Sequence, residues 1–431
     1  MSLTKALHPD EKYKAGKLGS TMMKAGGGIF ILFMIISIVL GSMVGDNWRR
    51  FLHAYVVGWT FIVSIAIGML WLVLLHHLTR SRWSTVVRRI AEAITNAFPL
   101  IFIAGLGFAI PVVAGNKGLY YWTTGADGAH NEALNPTLQH KLGWLSPGAW
   151  FVRYVIYGAI LSGISYYFAK KSKEQDESGD PKISVTLRRA SGPAMILFAF
   201  TTCLLSMDVI MSLAPKWYST IYGVMFWGSG NVGAFAALGL IVLWLQRNGR
   251  LTHSITEEHY HDIGKWMFAF TFFWAYTAFS QFMLQWYGNM PEETVWYKYR
   301  MFGEWQWVSI AILVGYWAFP FVFLMSRWTK RIVPALVFFS VWQLVFHWLD
   351  MYWQIMPEYD WTYATHGGTT LIEGPLSNQI ALHHVGFTPV DITVWFALVG
   401  ILLAGIGRNL TGNLIPVKDP TLGLSLAHEQ L

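Results

Sequence analysis

The feature that most constrains this chain is a series of apolar runs, each about 20 residues long, separated by short polar clusters. Helical runs of this length match the roughly 30 Å hydrocarbon core of a bilayer. Of the 431 residues, 54% are hydrophobic and 13% are charged, whereas soluble globular chains have about 25% charged residues. The sequence therefore predicts an all-α polytopic membrane protein.

The apolar runs predict ten transmembrane helices within a domain at 26–407, between an N-terminal tail at 1–25 and a C-terminal tail at 408–431. The predicted spans are 26–45, 51–75, 93–114, 148–169, 191–214, 219–245, 264–287, 305–326, 332–355 and 388–407. The sixth contains the segment GSGNVGAFAALG, whose small residues allow close helix packing in lipid.

The basic residues are distributed unevenly between the two sides of the predicted bundle. Of the 31 Lys and Arg residues, 23 fall in the tails and in the loops on the same side as the tails. The positive-inside rule then predicts that both termini are cytoplasmic. The formal charge of +7 reflects this topology, and we expect no nucleic-acid partner.

Three long connections are predicted on the opposite side, at 115–147, 288–304 and 356–388. The last contains no Lys or Arg but has polar residues at His366, Glu373, His383 and His384. Connections of this length without an evident helical pattern usually pack on something. We expect them to cap the bundle or to contact a partner subunit.

Cys203 is the only cysteine. The chain therefore has no CxxCH motif for covalent haem attachment and no set of cysteines for an iron–sulfur cluster or a zinc site. A b-type haem would need a second histidine that faces His347 at the same depth, and His53 is the only plausible mate. We predict no metal site, so metal centres for electron transfer would have to lie on partners.

Polar residues in the ninth predicted span form a stripe. Their spacings of 3, 4, 3 and 4 place Ser340, Gln343, His347, Asp350 and Gln354 on one helix face. Ionisable groups inside a membrane are costly, so they face a protein interior or a wet cavity. A histidine beside a carboxylate can relay protons, and a quinol headgroup needs similar hydrogen-bonding groups. Hydrogen bonding between helices is the structural alternative.

Other spans place polar residues at similar depths. Those near the outer surface are candidates for quinone contact or proton transfer together with His347 and Asp350: Asp208, Gln281, Gln285, Arg153 and Glu304. A proton path from the inner side could use Ser340 and Gln343 with Thr201, Thr202 and Glu92. An ion pair between Arg153 and an aspartate is the structural alternative for these groups.

Two stretches, LSMDVIMSLAPKWYSTIYG at 205–223 and FSQFMLQWYGNMPEETVWY at 279–297, resemble the integral-membrane subunits of alternative complex III. That complex is a bacterial quinol:cytochrome c oxidoreductase, and these subunits are related to the NrfD/polysulfide reductase membrane subunits. The resemblance covers the chain from the first helix to the last. The length, the ten spans and the QWYGNMPEE stretch are most similar to the ActF-type subunit.

The resemblance implies two four-helix bundles, formed by spans two to five and six to nine, with the first and last spans outside them. It also implies that menaquinol or ubiquinol is oxidised near the periplasmic side of the bacterial cytoplasmic membrane. The haem c groups and iron–sulfur clusters would lie on partner subunits. Expected partners are an ActC-type membrane subunit, an iron–sulfur protein, c-type cytochromes and the lipid bilayer.

Three hypotheses follow for the function. The chain could be a subunit of a quinol-oxidising complex in a respiratory or photosynthetic chain and contribute a quinone-facing or proton-conducting cavity, with no activity of its own when isolated. It could instead be a cofactor-free scaffold in the same complex, because the resemblance assigns the quinol site most clearly to the ActC-type subunit. A solute or ion transporter is the third hypothesis, since transporters bury similar polar groups.

Overall fold

The computed structural model describes residues 5–116, 118–123, 136–366 and 385–427. Within these ranges the chain forms helices and turns and no strand, apart from one isolated antiparallel bridge between Lys14 and Asn413. The loop residues Glu373, His383 and His384 lie outside the described residues.

The helices follow one another along the chain, and several of the predicted spans consist of two segments. Their bounds are α1 Leu18–Val44, α2 Arg49–Thr79, α3 Thr85–Thr95, α4 Phe98–Val113, α5 Pro136–Gln139, α6 Pro147–Ser178, α7 Lys182–Val209, α8 Tyr222–Arg247, α9 Glu257–Gly288, α10 Pro291–Met301, α11 Trp305–Ala311, a π-helical segment Ile312–Ala318, α12 Phe319–Met325, α13 Arg327–Arg331, α14 Val333–His366, α15 Pro389–Asn409 and α16 Leu422–Leu426.

The protein is an all-α polytopic membrane protein. Nine helices in the described part of the chain are long and apolar enough to cross a bilayer, where α3 with α4 and α11 with α12 each count as one. The predicted fourth span corresponds to α6, whose apolar sequence is interrupted by Arg153. This helix packs against α4 and α7 along its length, as a further crossing helix would.

The two ends of the chain meet on one face of the helical bundle, which we call the terminal face. Ala15 N donates to Gly412 O at 2.9 Å, and Leu414 N donates to Tyr13 O at 2.7 Å. Two ends on the same side of a membrane require an even number of crossings. The nine apolar helices together with α6 supply this even number.

The crossing helices pack as two bundles with one peripheral pair. The first bundle contains α2, α3 with α4, α6 and α7, and the second contains α8, α9, α11 with α12, and α14. The remaining helices, α1 and α15, pack closely against each other, and α15 also packs on α2. A Cβ added at Gly26 of α1 would lie 2.5 Å from Ala404 N of α15, so this pair needs glycine to approach so closely.

The long outer connections show no evident helical pattern in the sequence, yet α5 lies within 115–147 and α10 within 288–304. The connection expected to lack helix at 356–388 begins as a continuation of α14, which passes through Pro357 and ends at His366. Proline cannot donate to the carbonyl four residues earlier, which is Trp353 O. Arg300 Nε donates to that carbonyl at 3.2 Å, and Arg300 Nη2 donates to Gln354 O at 2.9 Å. Arg300 thus supplies a donor to the carbonyl that Pro357 leaves without its helical partner.

Candidate functional site

A group of buried polar side chains surrounds His347 and Asp350, which are 0% and 1% exposed, where α2 meets the second bundle. We call this group, with Ser64, Ser229 and Tyr316, the His347–Asp350 cluster. Its members come from α2, α8, the π-helical segment and α14. Residues that are far apart in sequence therefore converge at one point inside the bundle.

Hydrogen bonds in the cluster form a continuous chain. His347 Nε2 lies 2.8 Å from Ser64 Oγ, and His347 Nδ1 lies 3.0 Å from Ser229 Oγ. Ser229 Oγ donates to Asp350 Oδ2 at 2.6 Å. Ser64 Oγ also donates to the Phe61 carbonyl of its own helix at 2.9 Å. Because imidazole and hydroxyl groups can each donate and accept, these side chains form one continuous hydrogen-bonded chain from Ser64 to Asp350.

Two local features of the backbone make room for the His347–Asp350 cluster and position its side chains. A Cβ added at Gly233 of α8 would lie 2.7 Å from His347 Cδ2, so the imidazole occupies space that only glycine leaves free. The π-helical segment carries Tyr316, whose hydroxyl lies 3.0 Å from Ser229 Oγ and 3.3 Å from His347 Nδ1. Single-turn π segments inside α-helices occur frequently at functional sites.

The whole stripe predicted along α14 is buried. Gln343 Nε2 donates to Thr271 Oγ1 at 2.8 Å, and Gln354 Oε1 accepts from Tyr222 at 2.7 Å. Two buried atoms of the stripe, Ser340 Oγ and Gln343 Oε1, have no hydrogen-bond partner among the described residues. Buried polar atoms of this kind are places where internal water binds.

Asp208 belongs to the first bundle and has its own set of partners. Its carboxylate accepts from Arg153 Nε at 2.7 Å and Nη2 at 3.1 Å, from Trp144 Nε1 at 2.7 Å and from Tyr157 at 2.7 Å. None of these partners contacts His347 or Asp350. The ion pair with Arg153 is the arrangement that the structural alternative expected.

The outer candidates Gln281, Gln285 and Glu304 bind loop and helix-end residues. Gln281 Nε2 donates to Tyr297 at 3.0 Å, and Gln285 Oε1 accepts from Trp217 Nε1 at 3.2 Å. Glu304 Oε2 accepts the Val385 backbone N–H at 2.8 Å. These three side chains hold the outer connections and do not join the His347–Asp350 cluster.

The inner candidates are also separate from the cluster. Glu92 lies 3.2 Å from both Arg88 and Arg89 near the terminal face, and Arg88 also pairs with Asp419 at 2.8 Å. Thr201 and Thr202 lie on α7 and are buried, and Thr202 Oγ1 has no hydrogen-bond partner among the described residues. The structure therefore brings only His347 and Asp350 together from the predicted set, along with the pair Arg153 and Asp208.

Sequence reasoning missed several residues that complete these sites. Ser64, Ser229 and Tyr316 are single polar residues in apolar or small-residue segments, and nothing in their own helices forms a stripe. The only signal was that the segment around Ser229, GSGN, is small enough for a close approach by another helix. Arg300 was assigned to a loop. The signal for it was Pro357, which cannot donate to the carbonyl four residues earlier and so leaves that carbonyl open to another donor.

No protein-family model matches the chain, and no curated protein matches it. In the described residues there is no group of three His, Cys, Asp or Glu side chains that could hold a metal ion. The function must therefore be argued from the site itself.

Proposed function

We propose that this chain is an integral membrane subunit of a quinol:electron-acceptor oxidoreductase in the bacterial cytoplasmic membrane and that it moves protons within that complex. The observation that carries the proposal is the hydrogen-bonded chain Ser64–His347–Ser229–Asp350, where α2 of the first bundle meets the second bundle. The terminal face would be cytoplasmic. The redox centres would lie on iron–sulfur and c-type cytochrome partners, beside a related membrane subunit.

The cluster can transfer a proton by shifting each hydrogen bond along the chain. A proton that arrives at His347 Nε2 allows Nδ1 to release its proton to Ser229, which passes its own proton to Asp350. Imidazole and hydroxyl groups both donate and accept, so each step restores a hydrogen-bonded chain of the opposite direction. Tyr316 stays within reach of both Ser229 and His347 and stabilises either arrangement.

The burial of the cluster favours proton transfer over quinol contact. His347 and Asp350 are fully enclosed by packed helices, and Phe61 lies with its ring centre 5.2 Å from that of His347. A ring bound there would have to displace these side chains. The burial supports proton transfer as the role of the cluster, with quinol oxidation at another surface of the complex.

The experiment is a comparison of variants in the native complex purified with its partner subunits. Asp350→Asn keeps the shape of the side chain and removes its titration, and Ser229→Ala interrupts the chain. We expect proton transfer coupled to quinol oxidation to fall about 100-fold or more in each variant. The measurement is proton release and uptake by the complex in vesicles, alongside the rate of quinol oxidation.

Ser206→Ala is the matched control, because Ser206 is a buried serine whose hydroxyl donates only to the Cys203 carbonyl of its own helix. It should leave proton transfer unchanged. If Asp350→Asn and Ser229→Ala assemble normally and also transfer protons at the wild-type rate, the cluster is structural and the proposal is wrong.

A scaffold without chemistry is the second candidate, and the Asp208 site favours it. All four hydrogen bonds to this carboxylate come from Arg153, Trp144 and Tyr157, as expected of a group that fixes two helices together. Asp208→Asn should lower the free energy of unfolding by about 1.5–3 kcal/mol and leave turnover per assembled complex unchanged. A loss of turnover with an unchanged free energy of unfolding would indicate that Asp208 takes part in proton transfer.

A further inference from the structure

A cleft of about 460 Å³ opens between α3, α6 and the end of α15 near the terminal face. Its charged lining residues are Arg89, Glu92, Lys170, Lys173, Glu174 and Glu177. Three are cationic and three are anionic, so the cleft as a whole is neutral. A lining of this kind complements a ligand that carries both charges.

The level of the cleft in the membrane follows from helix lengths. The 16 residues of α4 span about 24 Å at 1.5 Å per residue, which is most of the hydrocarbon core. The cleft residues of α3 precede α4 on the side of the terminal face. They therefore lie at the depth of the lipid headgroups.

The charged rim of the cleft is only partly paired within the protein. Arg89 pairs with Asp176 at 3.0 Å, and Glu174 pairs with Lys171 at 2.8 Å. Lys170, Lys173 and Glu177 form no ion pair with another described residue, although they are three or four residues apart along one face of α6. Their charges are available to a ligand.

The buried wall of the cleft also has unused hydrogen-bonding capacity. Arg89 and Glu92 are 6% and 2% exposed, yet Arg89 Nε and Glu92 Oε2 have no hydrogen-bond partner among the described residues. The two atoms lie 3.2 Å apart as an ion pair, outside hydrogen-bond geometry. Polar atoms this deeply buried usually have a bound partner.

Exposed apolar residues lie on the same crossing segments as the cleft. Ile103 and Ile110 of α4 are 63% and 55% exposed, and Ile156 and Tyr166 of α6 are 46% and 62% exposed. Tyr166 also lines the cleft, so the polar and apolar surfaces meet. A molecule with a charged head and apolar chains would cover both.

We propose that this cleft binds one zwitterionic phospholipid with a phosphate and a primary ammonium group. Lys170 and Lys173 contact the phosphate, Glu174 and Glu177 contact the ammonium, and the acyl chains lie on the exposed face of α4 and α6. An anionic lipid would fit less well, because three carboxylates line the same cleft. The site is independent of the proposed proton transfer.

The test is native mass spectrometry of the delipidated full-length protein, with its partner subunits where they co-purify. The probes are phosphatidylethanolamine, phosphatidylglycerol, soluble phosphoethanolamine and inorganic phosphate. We expect one phosphatidylethanolamine to bind at least about tenfold more tightly than phosphatidylglycerol. Lys170→Ala/Lys173→Ala should weaken this binding about tenfold, whereas the matched pair Lys17→Ala/Lys24→Ala, at the start of α1, should not.

Three results would overturn the assignment. Equal affinity for the two lipids would remove the zwitterionic specificity, and equal weakening by both double variants would indicate a general charge effect. Binding of phosphoethanolamine or inorganic phosphate as tightly as the lipid would place a soluble phosphate compound in the cleft. Because these lysines are at the surface, the variants should fold, and circular dichroism would verify that they do.

Discussion

Gly233→Ala tests whether the His347–Asp350 cluster depends on close helix packing. The added Cβ would lie 2.7 Å from His347 Cδ2 and 3.2 Å from His347 Nε2, so the imidazole must move. Overpacking of a core costs about 1–3 kcal/mol. Moving the ring also breaks its hydrogen bond with Ser64, which contributes about 1 kcal/mol. Alanine is favoured over glycine in a helix by about 1 kcal/mol, which offsets part of this cost. We therefore expect the free energy of unfolding to fall by about 1–3 kcal/mol.

The assay is unfolding of the purified protein in mixed detergent–SDS micelles, followed by tryptophan fluorescence. The matched control is Gly239→Ala on the same helix, where the nearest atoms, Ile263 Cγ2 and Ser340 Oγ, lie at 3.6 Å. That variant should lose no stability, because alanine is favoured over glycine in a helix by about 1 kcal/mol. Equal unfolding free energies for the two variants would refute the reasoning.

Two further predictions concern other parts of the fold. Gly26→Ala should separate α1 from α15 and lower the unfolding free energy by about 1–3 kcal/mol. Gly27→Ala should not lower it, because no heavy atom lies within 4 Å of the added Cβ. Equal melting temperatures for the two variants would contradict this prediction. Arg88 and the hydrogen bonds from Thr421 outweigh burial and lower the pKa of Asp419. The stabilisation is therefore complete above the ordinary aspartate pKa of about 3.9 and lost as the pH falls through the lowered value. Asp419→Asn should cost about 1.5–3 kcal/mol at pH 7, and this penalty should shrink below about pH 4 in unfolding curves measured across pH.

The fold could be predicted from the sequence because each crossing helix is indicated by its own apolar segment. An apolar run of span length must be helical in lipid, whatever surrounds it. The places where a crossing helix changes its hydrogen-bonding pattern or its end could not be predicted in this way. The π-helical segment Ile312–Ala318 lies in an ordinary apolar run, and the continuation of α14 through Pro357 depends on Arg300, which lies more than 50 residues earlier in the chain.

The candidate site was predicted only on the helix that carries the stripe. Spacings of three and four residues identify one face of α14, so His347 and Asp350 could be grouped from sequence. Their partners Ser64 and Ser229 could not be predicted from the sequence, since they come from α2 and α8 and each is a single hydroxyl. Asp208 was grouped with them because it lies at a similar depth in the membrane, but depth does not specify which bundle a side chain faces.

The chemical nature of the partners distinguishes the two buried aspartates. Arg153 and Trp144 can only donate hydrogen bonds, so three of the four bonds at Asp208 hold the charged carboxylate in place and offer no acceptor for its proton. The carboxylate of Asp350 is bonded to Ser229, whose hydroxyl both donates and accepts and is itself linked to an imidazole. A proton can leave Asp350 along that chain without breaking an ion pair. Both aspartates are buried, at 3% and 1% exposed, and their partners suit Asp208 to fixing the first bundle and Asp350 to the proton transfer that we propose.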